Sequence, residues 1–211
     1  MNDRRSTTGS GACTGGALFM TGDSRFGIFA VAWSRREDGI AVRRIFLPCD
    51  DPVPRVRAVF PGAAVGRDAE AAALAGDIER FLGGEPVDLS LDLLFLEGCG
   101  AFQRKVLPAE HAIPRGRVAS YGGIAAAVGS PGAARAVGRA LATNPFPVVV
   151  PCHRAVRADG GLGGFQGGPG MKRALLMQEG IEFSADGRVR DAVFFFPAAA
   201  GPAGSSAEGK R

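Results

Sequence analysis

The chain has 211 residues, of which 46% are hydrophobic and 22% charged, with a formal net charge of +4. This balance suits a substantial apolar core in one or two domains and excludes wholesale disorder. Its four cysteines form no C-x-x-C pair, which excludes a disulfide framework and gives no metal-ligand spacing. No apolar run reaches membrane-spanning length and no signal peptide is evident, so we expect a protein of the bacterial cytoplasm or nucleoid.

The first half predicts a small scaffold domain over residues 16–93, after a disordered segment, 1–15. Turn signals separate three apolar runs, which predicts an antiparallel meander; the runs are Ala17–Met20, Phe26–Trp33 and Ile40–Leu47. Residues 51–61 are expected to hold a short helix. A longer helix is expected from Asp68 to Leu82, ended by Gly83 and Gly84. Its predicted core face consists of Ala71, Leu74, Ile78, Phe81 and Leu82.

A linker with a short strand at Val87–Leu91 is expected to lead into a second domain, 94–185. Its helical pattern begins at Phe102. A helix capped by Ser120 is expected to stop at Gly129, and the next to begin at Ser130-Pro131 and end near Asn144. Two short helices joined by a glycine turn predict a helix-turn-helix, although an αα-hairpin packed for stability fits the same pattern.

The positive charge is concentrated in the second half of the chain. From residue 94 to residue 185, ten basic and five acidic residues give +5, so the remainder carries −1. A basic half joined to a nearly neutral half indicates a surface that faces a polyanion.

A candidate nucleophile follows the β-branched run Val148–Val150. Pro151 ends strand pairing and favours a turn, and Cys152 and His153 come directly after it. A reactive thiol needs a base to remove its proton, so the pair suits nucleophilic catalysis. The alternative is an ordinary buried cysteine at a strand end. Glycines 160, 161, 163, 164, 167 and 168 follow, and they favour close approach of the backbone to another group.

The last predicted helix, Met171–Glu179, ends at Gly180. A carboxylate on its core-facing side requires a partner, and Glu179 could pair with His153 and fix the imidazole tautomer. A solvated glutamate is equally compatible with the pattern. Residues 194–211 are expected to form a disordered tail, whose phenylalanines could pack back on the body.

Together, the motifs of the second half resemble the O6-alkylguanine-DNA alkyltransferases, also called methylated-DNA–protein-cysteine methyltransferases. The resemblance runs from about Phe102 to Gly180. Its motifs are Ser120-Tyr-Gly, Ala133-Ala-Arg-Ala-Val-Gly, Asn144-Pro, Pro151-Cys-His-Arg and Leu175-Leu-x-x-Glu-Gly. It implies an α+β fold, with an RNase H-like N-terminal sheet and helix before a mostly helical domain.

The resemblance also implies a role for each matching residue. Cys152 accepts the alkyl group, His153 removes its proton through a water molecule, and Glu179 holds the imidazole. Asn144 stiffens the link between the DNA-binding helix and the active-site turn. Tyr121 helps rotate the nucleotide and protonates the guanine, and Arg135 fills the gap in the base stack. The implied DNA-binding set is Ser120, Tyr121, Ala134, Arg135, Gly138 and Arg139; the implied pocket is Pro147, Val148, Phe165, Gln166 and Gly167.

The implied activity is a single-turnover transfer from O6-alkylguanine, and from O4-alkylthymine, in double-stranded DNA. It implies a monomer without cofactor, metal or membrane contact. Phe165 stands where the family usually has tyrosine, and loss of the hydroxyl is expected to affect the rate or the tolerance of bulky adducts. Gln166 replaces a small residue. The alternatives are a catalytically inert alkyltransferase-like protein that binds DNA lesions, a thiol hydrolase and a transcription factor. The latter two would need an oxyanion hole or a dimerisation domain.

Overall fold

The computed structural model describes residues 14–190 and 194–195. It divides into two compact units, one containing residues up to 100 together with 145–150, the other containing 101–144 and the residues from 151 onward. The predicted α+β class, with an N-terminal antiparallel sheet before a mostly helical part, is confirmed. The segments predicted to be disordered lie outside the described residues, apart from positions 14, 15, 194 and 195. No described helix is long and apolar enough to cross a bilayer.

The sheet of the first unit is the predicted meander with one short addition. Its strands are β1 (Thr14–Ser24), β2 (Gly27–Arg36), β3 (Gly39–Cys49) and β4 (Ala64–Val65). The first three pair antiparallel, β4 pairs parallel with β1, and the order is β3-β2-β1-β4. The outer edge of β3 is covered, because Val42 pairs with the backbone of residues 93–95 and Ile45 donates to the carbonyl of Pro145. Covering an edge removes a template for pairing with other chains.

Helices cover both faces of this sheet. They are α1 (Val53–Val59) and α2 (Ala69–Gly83). Asp68 caps α2 by accepting hydrogen bonds from two backbone N–H groups, and Gly84 ends it at φ +104°. All five residues predicted for the core face of α2 are buried. On the opposite face, Val56 of α1 packs with Phe19 and Phe46 in an apolar cluster. Two covered faces explain why β2 is buried almost continuously rather than at alternate positions.

The second unit is mainly helical. Its helices are α3 (Ala101–His111), α4 (Tyr121–Ala127), α5 (Ala134–Ala142) and α6 (Gly168–Gln178). Two short strands, β5 (Ala119–Ser120) and β6 (Ala155–Val156), pair in parallel. Beside them, Val118, Val156 and Leu176 belong to an apolar cluster against which Phe194 packs. The helix α3 continues through Pro108, and α6 starts three residues before its predicted first residue.

The predicted start of the second helix of the helix-turn-helix at Ser130-Pro131 is wrong. That helix, α5, begins at Ala134. The reason is Gly132, whose φ of +86° lies in the left-handed region and is incompatible with a right-handed helix. The predicted cap of α4 is confirmed, because the Ser120 hydroxyl accepts from the N–H of Gly123 at 3.0 Å. Its glycine stop is also confirmed, since Gly129 follows the C-cap with φ +71°.

Two predicted strands are absent from the described residues. Residues 87–91 form no strand, because the edge of β3 pairs with residues 93–95 instead. The run Val148–Val150 forms a tight turn, in which Val148 has φ +76° and the N–H of Val150 donates to the carbonyl of Phe146 at 2.8 Å. Prolines 145, 147 and 151 flank or interrupt this run, and each lacks the N–H that a strand ladder requires.

Candidate active site around Cys152

Cys152 lies on a single 3₁₀ turn, Cys152–Arg154. Pro151 fixes the start of this turn at φ −78°, and the N–H of Arg154 donates to the Pro151 carbonyl at 2.7 Å. The predicted change of backbone direction after the proline is therefore present. All three side chains of the turn are buried, and that of His153 is completely inaccessible. A cysteine, a histidine and an arginine in succession consequently enter the interior together.

The carboxylate of Glu179 holds two of these side chains. His153 Nε2 donates to Glu179 Oε1 at 2.9 Å, and Arg154 makes two bonds of 2.8 Å, one to each carboxylate oxygen. Arg154 also donates to the carbonyl of Ile113. Glu179 reaches them because it caps the end of α6, just before Gly180 with φ +83°. The expected pairing of Glu179 with His153 is present in the geometry, and Arg154 extends it into a buried network.

This network fixes the protonation of the imidazole. Burial alone would raise the pKa of Glu179, but the hydrogen bonds and charges of His153 and Arg154 lower it to about 2. Burial lowers the pKa of His153, although Glu179 acts in the opposite direction. A neutral ring that donates from Nε2 to a carboxylate must carry its proton there. Nδ1 is therefore the nitrogen that can accept a proton.

Cys152 forms part of the wall of a cavity of about 370 Å³ within the second unit. Burial raises the pKa of this thiol to about 12, while a hydrogen bond from the Asn144 side chain lowers it in part. Asn144 itself is completely buried. In the free protein the sulfur is therefore a protonated thiol, and a substrate or a base must promote its ionisation.

The cavity wall combines the helix-turn-helix with the glycine loop. It consists of Tyr121, Gly138, Leu141, Ala142, Cys152, Gly164, Phe165 and Gln166. The ring of Phe165 meets that of His153 edge-on, with centroids 6.3 Å apart. Gln166 Nε2 donates to the carbonyl of Asn144 at 2.8 Å and links the glycine loop to the end of the helix pair. Gly167 packs behind Phe165, where an added Cβ would lie 2.8 Å from the ring. Pro147 and Val148 belong to the first unit, and their place in the pocket stays a prediction.

The position of the Tyr121 side chain explains why residue 163 is a glycine. A Cβ added to Gly163 would lie 2.6 Å from the Tyr121 hydroxyl oxygen, and Gly163 also has φ +67°. No side chain fits there, so the loop can close over the tyrosine only with glycine at this position. Burial raises the pKa of Tyr121 to about 12, so its hydroxyl keeps its proton at neutral pH.

The predicted DNA-binding residues of α5 divide into two groups. Arg135 and Arg139 are exposed, and Ala134 is half-buried. Gly138 lies in the cavity wall, where an added Cβ would meet no atom within 4 Å. One helix therefore presents two arginines to solvent and an open, side-chain-free position to the cavity. Gln103 of α3 supports this helix, because its amide donates to the carbonyl of Ala140 at 2.8 Å.

Comparison with known proteins agrees with this geometry. A family model described as 6-O-methylguanine DNA methyltransferase, DNA binding domain, matches residues 101–181. The methylated-DNA–protein-cysteine methyltransferase of Salmonella typhimurium is 36% identical over 169 residues, which cover 78% of this chain and 90% of the relative. The chain belongs to the methylated-DNA–protein-cysteine methyltransferase family.

Two further members extend the comparison. The methylated-DNA–protein-cysteine methyltransferase of Methanothermobacter thermautotrophicus is 45% identical over 108 residues, which cover 51% of this chain and 60% of the relative. The alignment thus spans less than two thirds of that relative. Among solved methyltransferases, the crystal structure of Mycobacterium tuberculosis OGT in complex with DNA is similar with a TM-score of 0.58 and 32% identity. That match covers 77% of this chain and 92% of the solved one.

Three buried charged residues of this methyltransferase were not among the predicted site residues. Arg154 is part of a motif that the sequence displays, and a charge in a buried turn requires a partner, so its pairing could have been anticipated. Glu110 lies three residues after Leu107 and four after Val106, which places it on the buried face of α3. Lys172 lies three residues before Leu175 and four before Leu176, so the same spacing places it on the buried face of α6. Both Glu110 and Lys172 are completely inaccessible to solvent.

Proposed function

We propose that this protein repairs DNA by transferring the alkyl group of O6-alkylguanine, and of O4-alkylthymine, in double-stranded DNA to Cys152. The observation that carries the proposal is that Cys152 lines a cavity of about 370 Å³ and is followed by a histidine held by a buried carboxylate. Membership of the family supports this chemistry. The protein acts as a monomer, in the bacterial cytoplasm or nucleoid, without a cofactor.

The nucleophile is generated inside the cavity. His153 Nδ1, through a bound water molecule, takes the thiol proton, and Glu179 stabilises the imidazolium that results. His153 and Arg154 together keep the Glu179 carboxylate ionised, because they lower its pKa against the effect of burial. The thiolate then attacks the alkyl carbon, so that an S–C bond forms while the C–O6 bond breaks. Asn144 donates a side-chain hydrogen bond to Cys152 and so holds the thiol at a fixed position relative to the helix pair that precedes it.

The leaving guanine carries the negative charge that the thiolate loses. Tyr121, in the same cavity and protonated at neutral pH, donates a proton to it. The product at Cys152 is a thioether, which contains no good leaving group. No residue can restore the thiol, so each molecule repairs one lesion.

The alkylated base must leave the helix before it can reach Cys152. Extrusion costs a few kcal/mol of stacking and pairing. The helix α5 is suited to offset this cost, because Ala134 and Gly138 allow close approach to a groove while Arg135 reaches into the stack. Ser120, Tyr121 and Arg139 contact the strand around the gap. Within the pocket, Phe165, Gln166 and Gly167 enclose the flipped base.

The alternative is an inert lesion-binding protein of the alkyltransferase-like kind. The burial and the high pKa of Cys152 are the observations that favour an inert thiol. Against it, Cys152 lines the cavity and His153 is held in the tautomer that can accept a proton at Nδ1. The relatives that match most of this chain are themselves named as methyltransferases.

Mass spectrometry tests the reaction directly. After incubation with duplex DNA that contains O6-methylguanine, one methyl group should be added to Cys152, and transfer should stop at one equivalent per protein. Cys152→Ala should transfer nothing, whereas Cys49→Ser, at a half-buried position of the first unit, should react normally. More than one equivalent transferred, or equal methylation of Cys152→Ala, would refute the mechanism.

A pair of substrates tests the role of Arg135. Arg135→Ala should lower the single-turnover rate on duplex DNA by about tenfold or more, since flipping loses a few kcal/mol of support. Its rate with free O6-benzylguanine should be nearly unchanged, because no base stack is involved. Arg157→Ala, an exposed arginine outside the helix pair, is the control and should affect neither rate. Equal losses on both substrates would argue against filling of the stack.

A further inference from the structure

Two ionisable side chains that the proposed reaction does not use are buried together in the second unit. Lys172 Nζ donates to the carbonyls of Ala155 at 2.6 Å and Gly164 at 3.2 Å. Ala155 directly follows the Cys152 turn, and Gly164 forms part of the cavity wall. The ammonium group therefore ties the segment that carries the nucleophile to the loop that closes over the substrate.

Glu110 is the second of these side chains. Both of its carboxylate oxygens are inaccessible to solvent and have no side-chain hydrogen-bond partner among the described residues, although the backbone of Ala155 acts on the carboxylate as a weak hydrogen-bond partner. The groups that act on it electrostatically are Lys172 and Arg154, and it acts in turn on Cys152 and Tyr121. A buried carboxylate with so little hydrogen-bonding compensation is costly, so this position favours the neutral acid. Burial raises the pKa of Glu110 to about 8 and lowers that of Lys172 to about 8.

We propose that Glu110 and Lys172 form a buried pair that sets the electrostatic potential at the Cys152 sulfur, with Lys172 favouring the thiolate and the ionised form of Glu110 opposing it. Glu110 is thus a positioning residue, which acts on charge without contacting the substrate. Its effect on alkyl transfer rests on the proposed function, but its effect on the thiol does not.

The direction of the effect follows from counting protons. The wild-type pair can lose two protons, whereas the pair in Glu110→Gln can lose only the one on Lys172. Lys172 can lose its proton in both proteins, whereas residue 110 can lose a proton only in the wild type. The pair in the variant therefore carries at least as much positive charge as the wild-type pair at every pH. The two pairs differ little at neutral pH, where Glu110 is mainly the neutral acid. In mildly alkaline solution the wild-type pair becomes more negative by up to one charge.

The other groups that face Glu110 are common to both proteins. They are Arg154 and Cys152 on the turn and Tyr121 on α4. The helix α5, which also packs on α3, carries Arg135 and Arg139 on its exposed side. The arginines are unchanged between the two proteins and cancel in a ratio of rates, whereas the substitution removes a charge that raises the pKa of Cys152 and of Tyr121. That ratio isolates the carboxyl group of Glu110.

The experiment measures the ratio of Glu110→Gln to wild-type rates from about pH 6.5 to about pH 9.5. One rate is iodoacetamide alkylation of Cys152, followed by peptide mass spectrometry. The other is single-turnover transfer from duplex DNA containing O6-methylguanine. Glu182→Gln, which removes an exposed carboxylate of the same unit, is the matched control. Glu110→Leu repeats the test with an apolar side chain, in case the amide disturbs packing.

We expect the ratio to lie within about twofold of one at neutral pH and to rise to about tenfold at the alkaline end, as removal of one nearby charge implies. The Glu182→Gln ratio should stay flat. A ratio that does not change with pH for Glu110→Gln and Glu110→Leu would overturn the proposal, since a purely structural role lowers rates equally at all pH values. If neither protein transfers methyl but the iodoacetamide ratio rises, the proposed function fails and the buried pair stands.

Discussion

The two units bury different kinds of side chains. Among the described residues of the first unit, Ser34 is the one buried polar side chain, and the core is built around Trp33, Phe19 and Phe29. The second unit buries seven: Glu110, Ser120, Asn144, His153, Arg154, Lys172 and Glu179. All seven belong to the unit that contains the cavity and the Cys152 turn.

This difference separates stability from chemistry. Removing apolar surface from water stabilises the first unit at little cost in polar desolvation. In the second unit, several charged groups have left water, and each depends on its neighbours for compensation. A reaction that moves protons in a water-poor cavity requires such groups, which an apolar core cannot supply. Substitutions in the two units should therefore have different consequences.

The largest effect is expected from Glu179→Gln. The substitution leaves Arg154 buried without its counter-charge, which should cost about 3–5 kcal/mol of the free energy of unfolding. It also removes the group that holds His153, so the single-turnover rate should fall by about a hundredfold or more. Urea denaturation and rapid-quench kinetics measure the two effects. Glu182→Gln should change neither, and an unchanged stability of Glu179→Gln would contradict the buried network.

In the first unit, Phe19→Ala should destabilise to a similar extent without the loss of rate. Truncating a fully buried phenylalanine costs about 3–5 kcal/mol, because the apolar transfer energy is lost and a cavity remains. The transfer rate per folded molecule should stay within about twofold of the wild type. The control is Val65→Ala, since Val65 is 75% exposed. A large loss of rate in folded Phe19→Ala protein would break the division between the units.

Acid should weaken the protein through Glu179. Its folded pKa of about 2 lies below the ordinary value of 4.5, so the carboxylate stabilises the fold above pH 4.5 and loses this contribution as the pH falls towards 2. The loss should be on the order of 3 kcal/mol. Urea denaturation between these pH values measures it. Glu179→Gln should show a smaller dependence on pH in this range, and an equal dependence would assign the acid sensitivity to other groups.

The smallest effects are expected from two helix caps, one in each unit. Asp68→Ala and Ser120→Ala each remove a side-chain acceptor from a helix N-terminus, and each should cost about 1 kcal/mol. Only Ser120→Ala should also slow alkyl transfer, because α4 begins with Tyr121. Thermal denaturation and single-turnover rates distinguish the two. Equal rates for both variants would show that the orientation of Tyr121 does not depend on its cap.

Local patterns in the sequence determined much of this protein. The meander follows from apolar runs between turn signals, and the buried face of α2 follows from its helical spacing. Ser120 and Gly129 mark the two ends of α4 by capping rules that need no tertiary information. Pro151 likewise predicts the turn at Cys152. In each case the deciding interaction lies within a few residues along the chain, so the sequence alone contains it.

The tertiary structure decided what depends on distant partners. Residues 148–150 have a strand-like composition, but their flanking prolines and a bond from Val150 to Phe146 make them a turn. Glu179 could have been a solvated glutamate until Arg154 and His153 were placed against it, 25 and 26 residues away along the chain. The burial of Glu110 and Lys172 beside Cys152 depends on how three helices and a loop pack. Helical spacing indicates which face of a helix is buried, but which charged groups meet there is a property of the folded interior that no local spacing specifies.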